Sequence, residues 1–202
     1  TLLFSSCQRC GRVEEKKDAS LLSLRDSGGV SIAVVADPWA KEKTLATYVL
    51  VPDTVPATVQ LPEGTVVHTP LRRTVLTSSI HAALLLRLGV ADAIAGMTDT
   101  AYVVSSDIRR LLRSGKVTDV GSSINPDAER IKQTRADALF LSPMENAGQN
   151  NLARLGIPLI QCADYMEVSP LARAEWKRFY GRLFGCAASA DRPFREVERA
   201  YE

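Results

Sequence analysis

Between Asn125 and Cys162 the chain reads NPDAERIKQTRADALFLSPMENAGQNNLARLGIPLIQC, and few folds accommodate that order of elements. Asn125 can cap a helix that Pro126 opens, with Asp127 and Glu129 in its first turn, where the helix dipole favours acid. Ala138–Leu141 (ALFL) and Pro158–Gln161 (PLIQ) are short apolar runs of the kind that lie inside a parallel sheet. Between them a helix over Ala147–Leu155 is stopped by Gly156. Helix, buried strand, helix and buried strand joined by short loops call for a parallel sheet covered by helices on both faces. The Ser142–Asn146 loop then falls at the carboxyl end of a strand, where open α/β sheets bind ligands.

The alternation extends upstream. Thr74–Leu76 reads as a strand, Ile80–Leu88 as a helix ended by Gly89, and Ala93–Ala95 as a strand. Asp107–Arg113 reads as a helix ended near Gly115, and Val117–Val120 as the next strand. Downstream, Ser169 and Pro170 open a helix through about Phe184, closed by Gly185; Trp176, Tyr180 and Leu183 share a face of it and read as core. Val30–Ala36, Thr44–Val51 and Thr65–His68 read as strands of a small antiparallel appendage over 30–70, punctuated by Asp37-Pro38, Pro52-Asp53 and Pro62-Glu63-Gly64. Residues 8–29 are charged, Ser/Gly-rich and aperiodic, and read as a tether. The α/β lobe occupies 71–188. A last helix begins within 189–202, with Phe194, Val197 and Tyr201 on one face. That pattern runs on without a stop signal, so a longer protein is expected.

Composition narrows the function classes. A net charge of +2 with no Lys/Arg tract gives no footing for a nucleic-acid partner. No apolar run reaches the ~18 residues of a membrane span. No G-x-G-x-x-G follows a strand, no phosphate-binding G-x-x-x-x-G-K-[ST] occurs, and no G-x-S-x-G elbow activates a serine. Four cysteines at 7, 10, 162 and 186 are too scattered for a disulfide framework, and Cys7-x-x-Cys10 has neither a preceding strand nor a zinc partner pair. Leu2–Ser6 instead reads as the end of a signal-peptide apolar region over 1–7, with small residues before Cys7. The competing reading is a polar tail with incidental cysteines.

Candidate ligand-facing residues follow the predicted strands. They are Ser78, Ser79 and His81 after the first, Thr98, Asp99 and Tyr102 after the second, and Ser122–Asn125, with Ser122 and Ser123 foremost, after the third. Met144, Glu145 and Asn146 follow the fourth, and Asp164 and Tyr165 the fifth. At the carboxyl ends of parallel strands they can converge on one crevice. Ser78 or Ser79 can equally cap the next helix, and His81 can be a structural histidine. With only His68 and His81 in the chain, no metal site of clustered histidines and acids is expected.

The ordered set RRTVLTSSIHAALLLRLGVADAIAGM, VGSSINPDAERIKQTRADALFLSP and LARLGIPLIQCADYMEVSPLARAEWKRFYGRLFG resembles the ABC-transporter substrate-binding proteins for vitamin B12, haem and ferric siderophores. The likeness covers about 72–202. DPWAKEKTLATYVLVP and ADYMEVSPLARAEWKRFYG are similar to the Bacteroidetes-type lipoprotein branch. The resemblance implies the first lobe of a two-lobe class III binding protein, with an open parallel sheet flanked by helices, and 189–202 as the start of the interlobe helix. It implies a monomeric periplasmic lipoprotein, lipidated at Cys7 in a lipobox-like setting, that binds without covalent cofactor or catalysis. Glu129 matches the glutamate that docks on permease arginines. Ferric siderophore, haem and cobalamin are the implied cargoes. Ser123 and Pro143 stand where B12-binding members carry tryptophans, and His81, Met97, Tyr102, Met144 and Tyr165 are all able to be axial haem ligands. The competing class is a cytosolic doubly wound enzyme or nucleotide-binding protein.

Overall fold

The computed structural model describes residues 21–40, 42–145, 150–188 and 190. Cys7 and its lipobox, most of the tether, Asn146 and, apart from Ala190, the interlobe helix expected over 189–202 lie outside the described residues. Two sheets form. The first holds β1 (Leu22–Ser27), β2 (Val30–Ala36), β3 (Thr44–Pro52) and β4 (Thr65–Thr69) in that order. The second alternates β5 (Thr74–Leu76), α1 (Ser79–Arg87), β6 (Ile94–Met97), α2 (Ser106–Arg113), β7 (Thr118–Asp119), α3 (Ala128–Thr134), β8 (Ala138–Leu141), α4 (Asn150–Ala153) and β9 (Leu159–Gln161). α5 (Pro170–Leu183) follows.

The second sheet is parallel throughout, in the order β7-β6-β5-β8-β9. Its strands alternate side chains between two cores. Leu76, Met97, Phe140 and Ile160 join the larger cluster with Ala82 and Leu85 of α1, while Val75, Leu139 and Leu141 pack with Ile131 of α3 and Leu152 of α4. Burial on both faces is what the continuous run Ala138–Leu141 predicted. α5 is capped by Ser169, whose Oγ accepts from Ala172 N, and carries Pro170 in its first turn. It lies between the sheets: Phe179 meets Tyr48 of β3 with ring centroids 6.0 Å apart, and Tyr180 and Phe184 meet Phe140 of β8 at 6.3 Å and 5.8 Å. Trp176, Tyr180 and Leu183 are buried, as their shared face predicted.

Three expectations change. Residues 22–27, inside the stretch read as tether, form β1. Leu22 and Leu24 alternate into the core, and the Gly28-Gly29 pair that looked like linker supplies the positive φ angles of the β1–β2 hairpin. The appendage is not wholly antiparallel, because β4 pairs parallel with β3, nor is its core separate from that of the lobe. Asn125 does not cap α3. Asp127 does, its Oδ1 accepting from Glu129 N and Arg130 N at 3.0 Å each. Pro126 is held extended in a bridge with Gly121, and Asp127 N donates to Val120 O at 2.9 Å, which delays the helix by two residues.

Candidate functional site

The strand order reverses between β5 and β8. From β5 the chain moves out to β6 and β7, then crosses back to β8 and on to β9. Adjacent strands whose connections diverge leave a crevice at their carboxyl ends. There Thr77, just after β5, donates from both N (3.1 Å) and Oγ1 (3.0 Å) to Phe140 O of β8, which pins the floor of the crevice. Ser78 caps α1, its Oγ accepting from Ile80 N at 3.2 Å.

Five loops surround this point. In the loop after β6, Asp99 sits at φ 52° and its Oδ2 accepts from Ser123 N at 3.1 Å, tying that loop to the one after β7. Thr100 donates to the Asp119 carboxylate, which also accepts from Gly121 N at 2.8 Å; these bonds hold the carboxyl below its usual range. Ser122 Oγ turns back to accept from Ile124 N at 3.2 Å. In the loops after β8 and β9, the Tyr165 hydroxyl donates to Pro143 O, and burial with the Asp164 carboxylate nearby raises that phenol. Each loop is thus braced to a neighbour.

The outward side of these loops is apolar. Nine large hydrophobic residues are exposed among those described, and seven of them (Ile80, Tyr102, Val104, Ile124, Met144, Tyr165 and Val168) follow the five parallel strands directly. Val168 is 91% exposed, Ile124 88%, Val104 85% and Tyr102 84%, so each presents nearly its whole side chain to solvent. Sequence reasoning placed Tyr102, Met144 and Tyr165 here, included Ile124 only within the run Ser122–Asn125, and missed Ile80, Val104 and Val168. Their signal was a lone apolar residue inside a polar loop just after a strand.

Ser78, Ser79, Asp99, Tyr102, Ser122, Ser123, Met144, Glu145 and Tyr165 all stand on this edge. His81 does not open onto it. It is 2% exposed, between Phe140 and Tyr180, with Nε2 3.8 Å from Asp164 Oδ1. Burial opposes the imidazolium, but the Cys162 sulfur and the Asp164 carboxylate outweigh it and raise the pKa to about 10. Tyr180 also donates to Asp164 Oδ1, at 3.0 Å. Met97 is likewise buried, so the axial-ligand candidates that reach the crevice are Tyr102, Met144 and Tyr165. Glu129 is exposed on the first turn of α3, 3.1 Å from Lys132 Nζ. Among the described residues no cluster of three or more His, Cys, Asp or Glu is placed to hold a metal ion, and no helix is long and apolar enough to cross a membrane.

No protein-family model matches the chain. The uncharacterized lipoprotein MJ0878 of Methanocaldococcus jannaschii is 31% identical over 142 residues, 66% of this chain and 34% of that protein. The uncharacterized lipoprotein MJ0872 of the same organism is 26% identical over 149 residues, 69% of this chain and 38% of that protein. The chain therefore spans little more than a third of either relative. Among solved structures, the petrobactin-binding protein YclQ from Bacillus subtilis matches with a TM-score of 0.52 at 17% identity, over 66% of this chain and 45% of that one. The siderophore-binding protein BauB, solved with two molecules of acinetobactin and ferric iron, gives 0.51 at 17% identity over 64% and 45%. An ABC-transporter substrate-binding protein from Listeria monocytogenes gives 0.51 at 14% identity over 63% and 46%. With the parallel sheet and its N-terminal companion sheet in place, the chain shares a fold with these substrate-binding proteins over 63–66% of its length.

Proposed function

We propose that the chain is one wall of a lipid-anchored, extracytoplasmic binding protein that captures an iron chelate, a ferric siderophore or haem, and delivers it to an ABC permease. The observation that carries this reading is the set of exposed apolar side chains on the segments that follow all five strands at the carboxyl edge. Such a set stays wet in an isolated lobe and is covered when a second lobe closes over a ligand. Binding is by surface complementarity and lobe closure. The two solved siderophore binders that share the fold support the cargo class. The two lipoprotein relatives support an anchor at Cys7. Tyr102 and Met144 are the axial ligands open to haem, the Tyr165 hydroxyl being committed to Pro143 O. A corrinoid finds no flat aromatic at Ser123 or Pro143, so cobalamin ranks below the iron chelates.

In this reading Glu129 steers the lobe onto a basic permease surface. Its pairing with Lys132 is surface-exposed, so exchanging it for a permease arginine costs at most about 1 kcal/mol. The decisive experiment titrates the full-length protein with ferric siderophores, haem and cobalamin, following tryptophan fluorescence and visible absorbance. Saturable binding of an iron chelate is expected, and silence with all three rejects the substrate class. Glu129→Arg is expected to abolish uptake while leaving chelate affinity unchanged; uptake at the natural rate removes the docking role.

A further inference from the structure

The pocket at the carboxyl ends of β5 and β6 has a volume of about 180 Å³ and is lined by Thr77, Ser78, Ser79, Thr98, Asp99 and Tyr102. Thr98 is 3% exposed, and its Oγ1 has no hydrogen-bond partner among the described residues. A buried hydroxyl without a partner is destabilising, and in a pocket wall it marks an atom that a ligand completes. The other lining groups say which ligand. Ser78 Oγ accepts from Ile80 N, which leaves its proton to donate. The first turn of α1, a helix of nine residues, adds N–H groups that no helical carbonyl can take. In the same pocket Asp99 commits Oδ2 to Ser123 N and keeps a second oxygen as acceptor.

This pairing disfavours both kinds of ion. A free anion drawn to the α1 terminus meets the Asp99 carboxylate, and a free cation drawn to Asp99 meets the positive end of α1. A hydroxyl satisfies both sides, since it donates to the carboxylate and accepts from the amides and serines. The exposed Tyr102 ring offers an apolar face for the carbons that bear such hydroxyls. We propose that the pocket is a subsite for a neutral, hydroxyl-rich organic group, such as a polyol or sugar-like ring, carried by the transported ligand. This rests on reading the carboxyl edge as the ligand wall.

The test uses the full-length protein with labelled threonine methyl groups, myo-inositol as probe, and acetate and methylammonium as charged controls. The Thr77 and Thr98 methyl resonances are expected to shift saturably with inositol and with neither ion. Read at Thr77, Thr98→Val is expected to weaken inositol binding roughly tenfold, and Thr98→Ser, which restores the hydroxyl, to return it to within roughly twofold. A saturable response to acetate or methylammonium instead, no saturable response at all, or undiminished binding in Thr98→Val overturns the subsite. Chelate titrations alongside separate the two ideas. Inositol binding in a protein that takes no iron chelate or cobalamin sinks the cargo reading and keeps the subsite. A chelate bound equally by Thr98→Val, with no inositol shift, does the reverse.

Discussion

Around α5 the molecule buries its largest side chains and gives the polar atoms of Trp176, Tyr48 and Tyr180 partners, whereas at the carboxyl edge it exposes apolar side chains and the Thr98 hydroxyl has no partner among the described residues. Trp176 Nε1 donates to Glu167 Oε1 at 3.0 Å, and the same oxygen accepts from Leu21 N at 2.9 Å, where the first sheet begins. The Tyr48 hydroxyl donates to Leu159 O at 2.8 Å and accepts from Gln161 N at 2.7 Å. It thereby closes the outer edge of β9, which no further strand covers among the described residues. These polar groups join the two sheets into one core. The edge is built on the opposite principle, with loops braced to one another by hydrogen bonds while their apolar side chains face outward. In the proposed function stability and binding fall to different layers, and substitutions are expected to separate them.

The largest effect is expected at Trp176. Trp176→Ala removes a fully buried ring that contacts Phe179 and Tyr180, a loss of about 3–5 kcal/mol by analogy with other core aromatics. Urea unfolding measures it. A loss below about 1 kcal/mol would mean that α5 does not join the sheets.

The buried His81–Asp164 pair comes next. The folded pKa of His81, about 10, lies above the unfolded value, so its contribution is fully present below the unfolded pKa of ~6.5 and is lost as pH rises through the folded one. Unfolding free energy is expected to fall between pH 7 and 10, by at most ~1.4 kcal/mol per pH unit for one proton. His81→Gln flattens that slope. A natural protein with no such slope removes the charged histidine from the account of the core.

Tyr48→Phe is smaller. It strips the partner from Gln161 N and Leu159 O on the free edge of β9 and is expected to destabilise by about 1–3 kcal/mol. Faster amide exchange at Gln161 locates the effect. Protection unchanged from the natural protein would show the edge closed by something else.

The legibility of these layers in the sequence differs for physical reasons. Ala138–Leu141 announced a strand buried on both faces because a run with no polar residue has nowhere else to go. Ser169-Pro170 and Gly185 announced both ends of α5 because cap chemistry is local. The cap of α3 was misplaced because Asn125-Pro126-Asp127 offers two local solutions, and the choice was made by Val120 O, a partner outside the segment. Leu22 and Leu24 stayed hidden for the same kind of reason: two alternating leucines are too few to signal a strand until β2 pairs with them. At the site, the strand ends were legible and the inward turn of His81 was not, since its nearest charged partner, Asp164, lies 83 residues away in sequence. The apolar rim was least legible, because isolated Val104, Ile124 and Val168 carry no periodicity.

That rim gives the smallest stability effect and the sharpest test of the separation. Ile124 and Val168 are already exposed in the folded lobe, so replacing either by serine removes almost no buried area. Ile124→Ser and Val168→Ser are each expected to change unfolding free energy by no more than ~0.5 kcal/mol. In the proposed function chelate binding responds differently, because lobe closure over the ligand would cover these side chains. Re-covering part of one is worth about 1 kcal/mol, or roughly a fivefold loss of affinity per serine. The two measurements belong on the same samples. Lost stability with unchanged affinity would move the rim into the packed layer, whereas affinity lost at constant stability assigns it to the ligand.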